Sequence, residues 1–244
     1  MNKPSRKFVA HAFATILLGT ALLPAFAQEQ PVLDPPGKRF DLSGYTLQLP
    51  IAKRDSIEEI RGKQLNEYAS PYFFLNADNG AMVFYCTSGG ATTRGSHYPR
   101  TELRDNNEWE FTGQHVLSAT LAVDQQPSTG NLIVGQIHGT HGNTEALKIR
   151  WSKGNIVVGV KRNTSATEER FTLLKGIPLH ERFSYIISQS DHVVTVTVNG
   201  ASMSFEYDST WNGEKVYFKA GNYLQDNTSP ESAGRVEFFA LKRT

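Results

Sequence analysis

The stretch YFKAGNYLQ (217–225) has the alternating pattern of a half-exposed β-strand. Successive side chains of a strand point to opposite faces, so Lys219, Tyr223 and Gln225 share one face and the apolar residues between them share the other. The apolar face is suited to a protein core. The opposite face then presents an ammonium group, a phenol and an amide in one row.

Similar short runs of β-branched and aromatic residues, separated by turn residues, recur through the chain. They lie at 81–87, 116–124, 131–138, 155–162, 183–189, 193–198 and 235–242. Short strands at this spacing are typical of an all-β sandwich or jelly roll. Asn199-Gly200 predicts a tight hairpin, because both residues tolerate positive φ angles. The one candidate helix lies within 56–68.

The first residues have the pattern of a targeting segment. Three basic residues within the first seven precede an apolar run, and AFA at 25–27 supplies a small-x-small cleavage site. We therefore expect a signal peptide over 1–27, export to the periplasm or the medium, and a mature chain from Gln28. The proline-containing segment 28–37 is expected to be an extended lead-in to a single domain over 38–244.

Charge and cysteine content exclude several classes of partner and linkage. The full chain has 25 Lys and Arg against 24 Asp and Glu, and removal of residues 1–27 leaves 22 against 24. This balance gives no general attraction to nucleic acid or anionic membranes, so an anionic partner must be held by a local group of cations. Cys86 is the only cysteine, which excludes an intramolecular disulfide, and its apolar neighbours predict a buried thiol.

The polar-row pattern recurs in RTELR (100–104) and QIH (136–138). Two arginines and a glutamate share one face of the first segment, and a glutamine and a histidine share one face of the second. Each segment alone is also compatible with an ordinary half-exposed strand. Together the three rows are rich in directional donors and titratable groups. Three such strands side by side would form a floor suited to a polyanionic, hydroxyl-rich ligand.

In this order, RTELR, QIH and YFKAGNYLQ are similar to the signature strands of polysaccharide lyase family 7, the alginate lyases. The likeness continues through DLSGYTLQLP at 41–50 and the final aromatic strand. The resemblance implies a β-jelly roll, a concanavalin-like two-sheet sandwich with a concave substrate cleft. It also implies cleavage of alginate by β-elimination, without a metal or an organic cofactor.

Carried over motif by motif, the resemblance implies two groups of site residues. The catalytic set comprises Arg100, Gln136, His138 and Tyr223. The residues expected to bind substrate or to orient that set are Glu102, Arg104, Lys219 and Gln225. Gly221 is expected to leave room for a sugar. Alginate is the expected partner, with no nucleic acid and no membrane, and we expect the protein to act as a monomer.

The chemistry of uronate elimination explains the need for these residue types. Arg100 and Gln136 form the expected clamp that neutralises the substrate carboxylate. His138 is the expected base at C5 and Tyr223 the expected acid at O4. In guluronate these two positions lie on opposite sides of the ring, so base and acid must differ, whereas in mannuronate Tyr223 could serve as both. Ile137, by resemblance, favours guluronate-containing or mixed blocks.

Three other kinds of site are compatible with parts of the sequence. A non-catalytic carbohydrate-binding module would rely on exposed aromatic residues that stack on sugars, but Trp109, Trp151 and Trp211 are not grouped in the sequence. A hydrolase would use a carboxylate pair drawn from Glu102, Glu108 and Glu110. A metal site would use His138 and His141, although two histidines without a supporting group of carboxylates form a weak ligand set.

Overall fold

The computed structural model describes Met1 and residues 33–141 and 144–244. The predicted signal peptide, beyond Met1, and the first part of the predicted lead-in lie outside the described residues. Residues Leu33–Thr244 form one compact unit. Its secondary structure is almost entirely β-strand. In chain order the strands are β1 (Tyr45–Lys53), β2 (Ser56–Arg61), β3 (Phe73–Leu75), β4 (Met82–Thr87), β5 (Arg100–Asp105), β6 (Gln114–Gln125), β7 (Asn131–Gly139), β8 (Glu145–Ser152), β9 (Asn155–Val160), β10 (Glu169–Leu174), β11 (Phe183–Ser190), β12 (Val193–Val198), β13 (Ala201–Glu206), β14 (Val216–Leu224) and β15 (Ala233–Arg243).

The strands form two antiparallel sheets, as predicted. The eight-stranded sheet has the order β10-β9-β8-β7-β14-β5-β1-β2, and the seven-stranded sheet has the order β13-β12-β11-β6-β15-β4-β3. Consecutive strands are often not neighbours, so the chain crosses repeatedly from one sheet to the other. The result is the two-layer jelly roll expected from the sequence, in which one face of each sheet lines a shared core.

Aromatic and aliphatic side chains fill the space between the sheets. Phe84 of β4 packs against Phe73 and Phe238, with ring centroids 5.2 and 5.1 Å apart. Asn222 of β14 is a polar exception. It is fully buried, and its side-chain amide donates hydrogen bonds to the backbone carbonyls of Phe84 and Gly234 in the opposite sheet. These bonds join the two layers directly beneath the strand that carries Tyr223.

The three polar rows lie on adjacent strands of the eight-stranded sheet, which confirms the predicted floor. β14 is central, with β5 on one side and β7 on the other. Lys219 pairs with Arg104 of β5 and Gln136 of β7, and Tyr217 pairs with His138. Directly opposed residues of neighbouring strands point to the same face. The register therefore brings the polar side chains of all three strands to one surface.

The predictions for the hairpin, the cysteine and the candidate helix had different outcomes. Asn199 and Gly200 have φ angles of 47° and 88° and connect β12 to β13, which confirms the hairpin. Cys86 is buried, and burial raises the pKa of its thiol. Within 56–68, the predicted helix is limited to α1 (Lys63–Asn66), which has only four residues, and residues Ser56–Arg61 form strand β2. Short 3-10 turns occur at Pro36–Lys38 and Ser209–Trp211. None of the helical segments in the described part of the chain is long and apolar enough to cross a membrane.

The expectation that Gly221 leaves room for a sugar is wrong. Its φ angle is +147°, and a Cβ atom there would lie 2.7 Å from the carbonyl oxygen of Thr101 and 2.8 Å from the Cα of Glu102. The space is taken by the neighbouring strand and not by a ligand. Glycine is required here because β14 bulges relative to β7 between Ala220 and Tyr223 while staying paired with β5.

Candidate active site

A cleft of about 300 Å³ lies over the three central strands and contains most of the predicted catalytic set. The loop before β5 forms one wall. The polar lining includes Arg100, His138, Glu145, Tyr217, Lys219 and Tyr223 from the sheet and Arg94 and Ser96 from the loop. A cavity of about 340 Å³ elsewhere is lined by residues such as Asp41 and Trp109 and contains none of the predicted site residues. The chemistry therefore points to the cleft over the sheet.

Glu102 lies beneath the floor of this cleft and holds its cations in place. The carboxylate is fully buried, with one oxygen 2.5 Å from Lys219 Nζ and 3.5 Å from Arg100 Nη1. Its other oxygen accepts a 2.5 Å hydrogen bond from Gln136 Nε2. Burial by itself would raise the pKa of Glu102, but the Lys219 and Arg100 charges outweigh that effect and lower it. Glu102 is therefore ionised and orients its neighbours.

Lys219 is a buried cation whose side chain reaches the cleft. It is 2% exposed, and it donates a second hydrogen bond to the side chain of Gln48, at 2.8 Å. Burial, together with repulsion from Arg100, lowers its pKa to about 8. Arg100 is similarly buried, at 6% exposed. Two cations share one carboxylate, so this group carries one net positive charge toward the cleft.

The structure gives Gln136 a different immediate contact from the predicted one. Its side chain is fully buried, and its amide nitrogen donates to Glu102 instead of facing the cleft. The carboxylate can only accept, which fixes the orientation of the amide. The amide oxygen has no partner within the described residues. In this structure Gln136 therefore supports Glu102 from below, and Arg100 and Lys219 supply the cations at the surface of the cleft.

His138 has the geometry of a neutral base. Burial, reinforced by the charge of Lys219, lowers the pKa of its imidazole to about 4. Its Nδ1 lies 2.8 Å from the carbonyl oxygen of Gly139 and 3.2 Å from the hydroxyl of Tyr217. A carbonyl cannot donate, so the shorter contact assigns the proton to Nδ1. Nε2 is then the unprotonated nitrogen that can accept a proton.

Tyr223 is held on three sides. The guanidinium of Arg100 lies over its ring, 4.0 Å from the centroid, and Tyr98 packs edge-on at 6.3 Å. Its hydroxyl lies 3.0 Å from Ser96 Oγ. Neither Ser96 nor Tyr98 was identified from the alternating pattern, because both belong to the loop. The only signal in the sequence was their position in SHYPR, directly before the arginine strand.

Arg104 pairs across the sheet with Lys219 and packs against Tyr217. Its guanidinium is 3.9 Å from the centroid of the Tyr217 ring and forms a 2.5 Å ion pair with Glu108. Burial raises the pKa of Tyr217, so that phenol stays protonated beside His138. Arg104 thus supports Tyr217, which in turn contacts the base. Tyr217 follows the same alternation as Lys219 and Tyr223, which is the signal that identifies it.

Gln225 lies beyond Tyr223, in a neighbouring cavity of about 290 Å³. Arg150 and Arg170 line the same cavity, and both form ion pairs with Glu168, at 2.7 and 2.6 Å. The structure therefore separates Gln225 from the seven other predicted residues, which lie in or beneath the central cleft or beside Tyr217. Arg150 and Arg170 were not identified from the sequence, because no pattern connects their strands to the three signature segments.

Two of the three other kinds of site lack the required geometry, the carbohydrate-binding module and the metal site. All three tryptophans are buried, so none offers an exposed platform for a sugar. His138 and His141 have different partners, since His141 Nδ1 lies 3.1 Å from Glu214. Among residues 33–141 and 144–244, no group of three or more His, Cys, Asp and Glu side chains is placed to hold a metal ion.

Comparisons with known proteins agree with this geometry. A family model described as alginate lyase matches residues 40–244. An alginate lyase from Klebsiella pneumoniae is 28% identical over 284 aligned positions, which cover 86% of this chain and 91% of that protein. The crystal structure of alginate lyase A1-II', a member of polysaccharide lyase family 7, is 35% identical with a TM-score of 0.80, covering 86% of this chain and 97% of that one. An alginate lyase from Pseudomonas aeruginosa is 33% identical with a TM-score of 0.78, covering 84% and 99%. The chain therefore belongs to polysaccharide lyase family 7, the alginate lyases.

Proposed function

We propose that this protein cleaves the 1,4-linked uronate chain of alginate by β-elimination. The observation that carries the proposal is the central cleft. One net positive charge from Arg100, Lys219 and Glu102 lies beside a neutral imidazole and a phenol. Membership of the alginate lyase family and the names of its relatives support the same substrate.

The positive charge answers the main difficulty of the reaction. The proton at C5 is α to a carboxylate, so its removal places further negative charge on a group that already carries one. Positioned acid and base groups typically contribute about 10²–10⁴-fold, whereas enzymes reach at least about 10⁶-fold. Preorganised positive charge must supply much of the difference. We assign this role to Arg100 and Lys219, which Glu102 and Gln136 hold from below.

The proton transfers are assigned to His138 and Tyr223. His138 Nε2 takes the proton from C5, the electrons of that bond form the C4–C5 double bond, and the C4–O4 bond breaks. Tyr223 donates its phenolic proton to the departing O4. The products are an unsaturated uronate at one new end and a hydroxyl at the other. Return of the proton from His138 to Tyr223 through solvent restores the starting state.

Block preference is the finer part of the proposal. Guluronate requires separate groups on the two sides of the ring, and His138 and Tyr223 are such a pair. We therefore propose a preference for guluronate-containing or mixed blocks. Ile137 is fully buried on the opposite face of β7 from its neighbours Gln136 and His138, so any influence it has on this choice is indirect.

Crystal complexes of a relative support the choice of a histidine and a tyrosine. A variant of A1-II' in which one histidine and one tyrosine are replaced was solved with the substrate GGMG, and a variant with one tyrosine replaced was solved with the product GGG. These residue types are the same as the pair proposed here.

We further propose that the protein is exported and acts as a monomer. The support for export is the charge and hydropathy pattern of residues 1–27. Expression with the native leader, followed by fractionation and amino-terminal sequencing, tests export. The expected mature chain begins near Gln28. Retention of the intact leader in the cytoplasmic fraction would contradict export. Light scattering of the mature protein, which measures its molar mass in solution, tests whether it is a monomer.

Ultraviolet absorbance tests the reaction class. The conjugated double bond of the unsaturated uronate absorbs, whereas neither hydrolysis nor simple binding creates such a group. We expect absorbance to rise when the purified protein is incubated with polyguluronate, polymannuronate or mixed blocks, fastest with guluronate-containing blocks. No rise with any block would exclude β-elimination, and a fastest rate on polymannuronate would contradict only the block preference.

A further inference from the structure

The hydroxyl of Ser96 contacts the proposed acid and the proposed carboxylate clamp at the same time. Its Oγ lies 3.0 Å from the hydroxyl of Tyr223 and accepts a 2.9 Å hydrogen bond from Arg100 Nη2. It also lies 2.9 Å from the carbonyl oxygen of Tyr98. Within the described part of the chain, the Tyr223 hydroxyl forms no other hydrogen bond with a side chain.

The available protons restrict what this hydroxyl can do. A serine hydroxyl has one proton to donate and two lone pairs that can accept. The guanidinium of Arg100 and, at 3.3 Å, the backbone N–H of Tyr98 can only donate, so they occupy the two lone pairs of Ser96. The single Ser96 proton can then point either to the carbonyl of Tyr98 or to the oxygen of Tyr223, and these distances differ by only about 0.1 Å. A small rotation about the side chain therefore exchanges the two states.

The second state is the one that general acid catalysis needs. When Ser96 donates to the oxygen of Tyr223, the phenolic proton must point away from Ser96 and into the cleft. After Tyr223 has given up that proton, the same Ser96 bond stabilises the phenolate. Hydrogen bonds to charged groups are stronger than neutral ones, and the bond from Arg100 polarises the Ser96 hydroxyl further.

We infer that Ser96 is a positioning residue for the reaction, which directs the phenolic proton of Tyr223 toward the leaving oxygen and stabilises the phenolate that remains. This inference rests on the proposed function. The backbone holds Ser96 in place for this role, because the N–H of Ser96 donates to the carbonyl of Thr93 at 2.9 Å and fixes the turn of the loop. Ser96 is also half-buried, so the cleft wall limits competition from water.

Loss of the Ser96 hydroxyl should affect turnover and substrate binding differently. Charge develops on Tyr223 only during the reaction, so loss of the Ser96 hydroxyl should slow turnover and leave ground-state binding of the polymer unchanged. For Ser96→Ala we expect a fall in kcat of about tenfold to a hundredfold, the effect of one hydrogen bond to a charged group, with KM within about twofold. Ser96→Thr keeps the hydroxyl and should restore most of the lost kcat.

The experiment measures kcat and KM by ultraviolet absorbance on polyguluronate for wild type, Ser96→Ala and Ser96→Thr. Thr92→Ala is the matched control, because it removes an exposed hydroxyl from the same loop outside the cleft lining. Thermal unfolding of each variant is followed by circular dichroism, and we expect the same melting temperature for Ser96→Ala and Thr92→Ala.

The inference would be overturned by a raised KM with unchanged kcat, by a threonine variant as slow as the alanine variant, or by a loss of activity accounted for by unfolding. Each of these would show that Ser96 only shapes the loop or serves Arg100 in binding. A wild-type protein without any absorbance rise would overturn the proposed function and this inference together. An active wild type with an unaffected Ser96→Ala variant would overturn the inference alone.

Discussion

Glu102→Gln tests whether one buried carboxylate holds the cleft together. The change keeps the shape of the side chain and removes its charge, while Lys219 and Arg100 remain buried around it. At 2.5 Å and an effective dielectric constant of about 20, the attraction between Glu102 and Lys219 is about 7 kcal/mol before desolvation is subtracted. Breaking a buried pair by removing one partner typically costs about 3–5 kcal/mol of folding stability.

That cost is a large part of the total stability of a domain, about 5–15 kcal/mol. The loss of the carboxylate also lowers the pKa of Lys219 further, because burial and Arg100 already push it down and Glu102 is its main opposing charge. Lys219 then loses its proton near neutral pH, and the cleft loses one of its cations. Removal of one preorganised donor typically costs about 10²–10³-fold in kcat, which we take as the expected loss.

Urea unfolding followed by tryptophan fluorescence measures the stability of the Glu102→Gln variant, and ultraviolet absorbance measures its turnover. Glu169→Gln is the matched control, because it makes the same chemical change in an exposed ion pair with Arg162, which is worth at most about 1 kcal/mol. The double variant Glu102→Gln, Lys219→Met should recover stability relative to Glu102→Gln alone, because the unpaired cation is gone. A Glu102→Gln variant as stable and as active as the control would refute the role of Glu102.

Three further predictions concern pH, stereochemistry and the backbone. The value of kcat/KM should fall as the pH drops through about 4, because His138 gains a proton there and can no longer act as base. It should also fall as the pH rises through about 8, because Lys219 loses its charge there. Lys219→Arg should move only the alkaline limb, and an unmoved limb would contradict the assignment. His138→Ala should reduce turnover of polyguluronate more than turnover of polymannuronate, and equal losses would argue against the separate base. Gly221→Ala should lower the free energy of unfolding, measured with urea, by about 1–3 kcal/mol. The loss should be smaller for the control Gly200→Ala, where φ is also positive but a Cβ atom would have nothing within 4 Å. An equal loss in the two variants would contradict the steric explanation.

The three-row floor could be predicted because side-chain parity along a strand is a local property. Alternation alone identifies which residues of 100–104, 136–138 and 217–225 share a face, and neighbouring strands then combine those faces. This alternation does not show how deeply a side chain is buried. Glu102 and Gln136 share the predicted face but lie beneath the cleft, because Lys219 and Arg100 cover them. Long side chains on adjacent strands decide which group reaches the surface, and strand register sets their positions.

The loop before β5 could not be predicted from local patterns. Its path depends on distant partners, since the N–H of Ala91 donates to the carbonyl of Pro50 and the N–H of Leu224 donates to the carbonyl of Pro99. Only this path brings Ser96 to Tyr223. The candidate helix within 56–68 is confirmed only over Lys63–Asn66, for a similar reason. Ile57 and Ile60 have spacing compatible with a helix, but pairing with β1 makes their segment a strand.

Tyr223→Phe tests the central claim most directly, because it removes one hydroxyl from the floor and leaves the ring in place between Arg100 and Tyr98. Two quantities are measured on the same preparation: the rate of ultraviolet absorbance increase on polyguluronate and polymannuronate, and the affinity for polyguluronate by isothermal titration calorimetry. The proposed mechanism predicts that the variant still binds the polymer and forms no unsaturated product from either block type. Turnover close to that of the wild type would contradict the assignment of Tyr223 as the acid and, with it, the proposed mechanism.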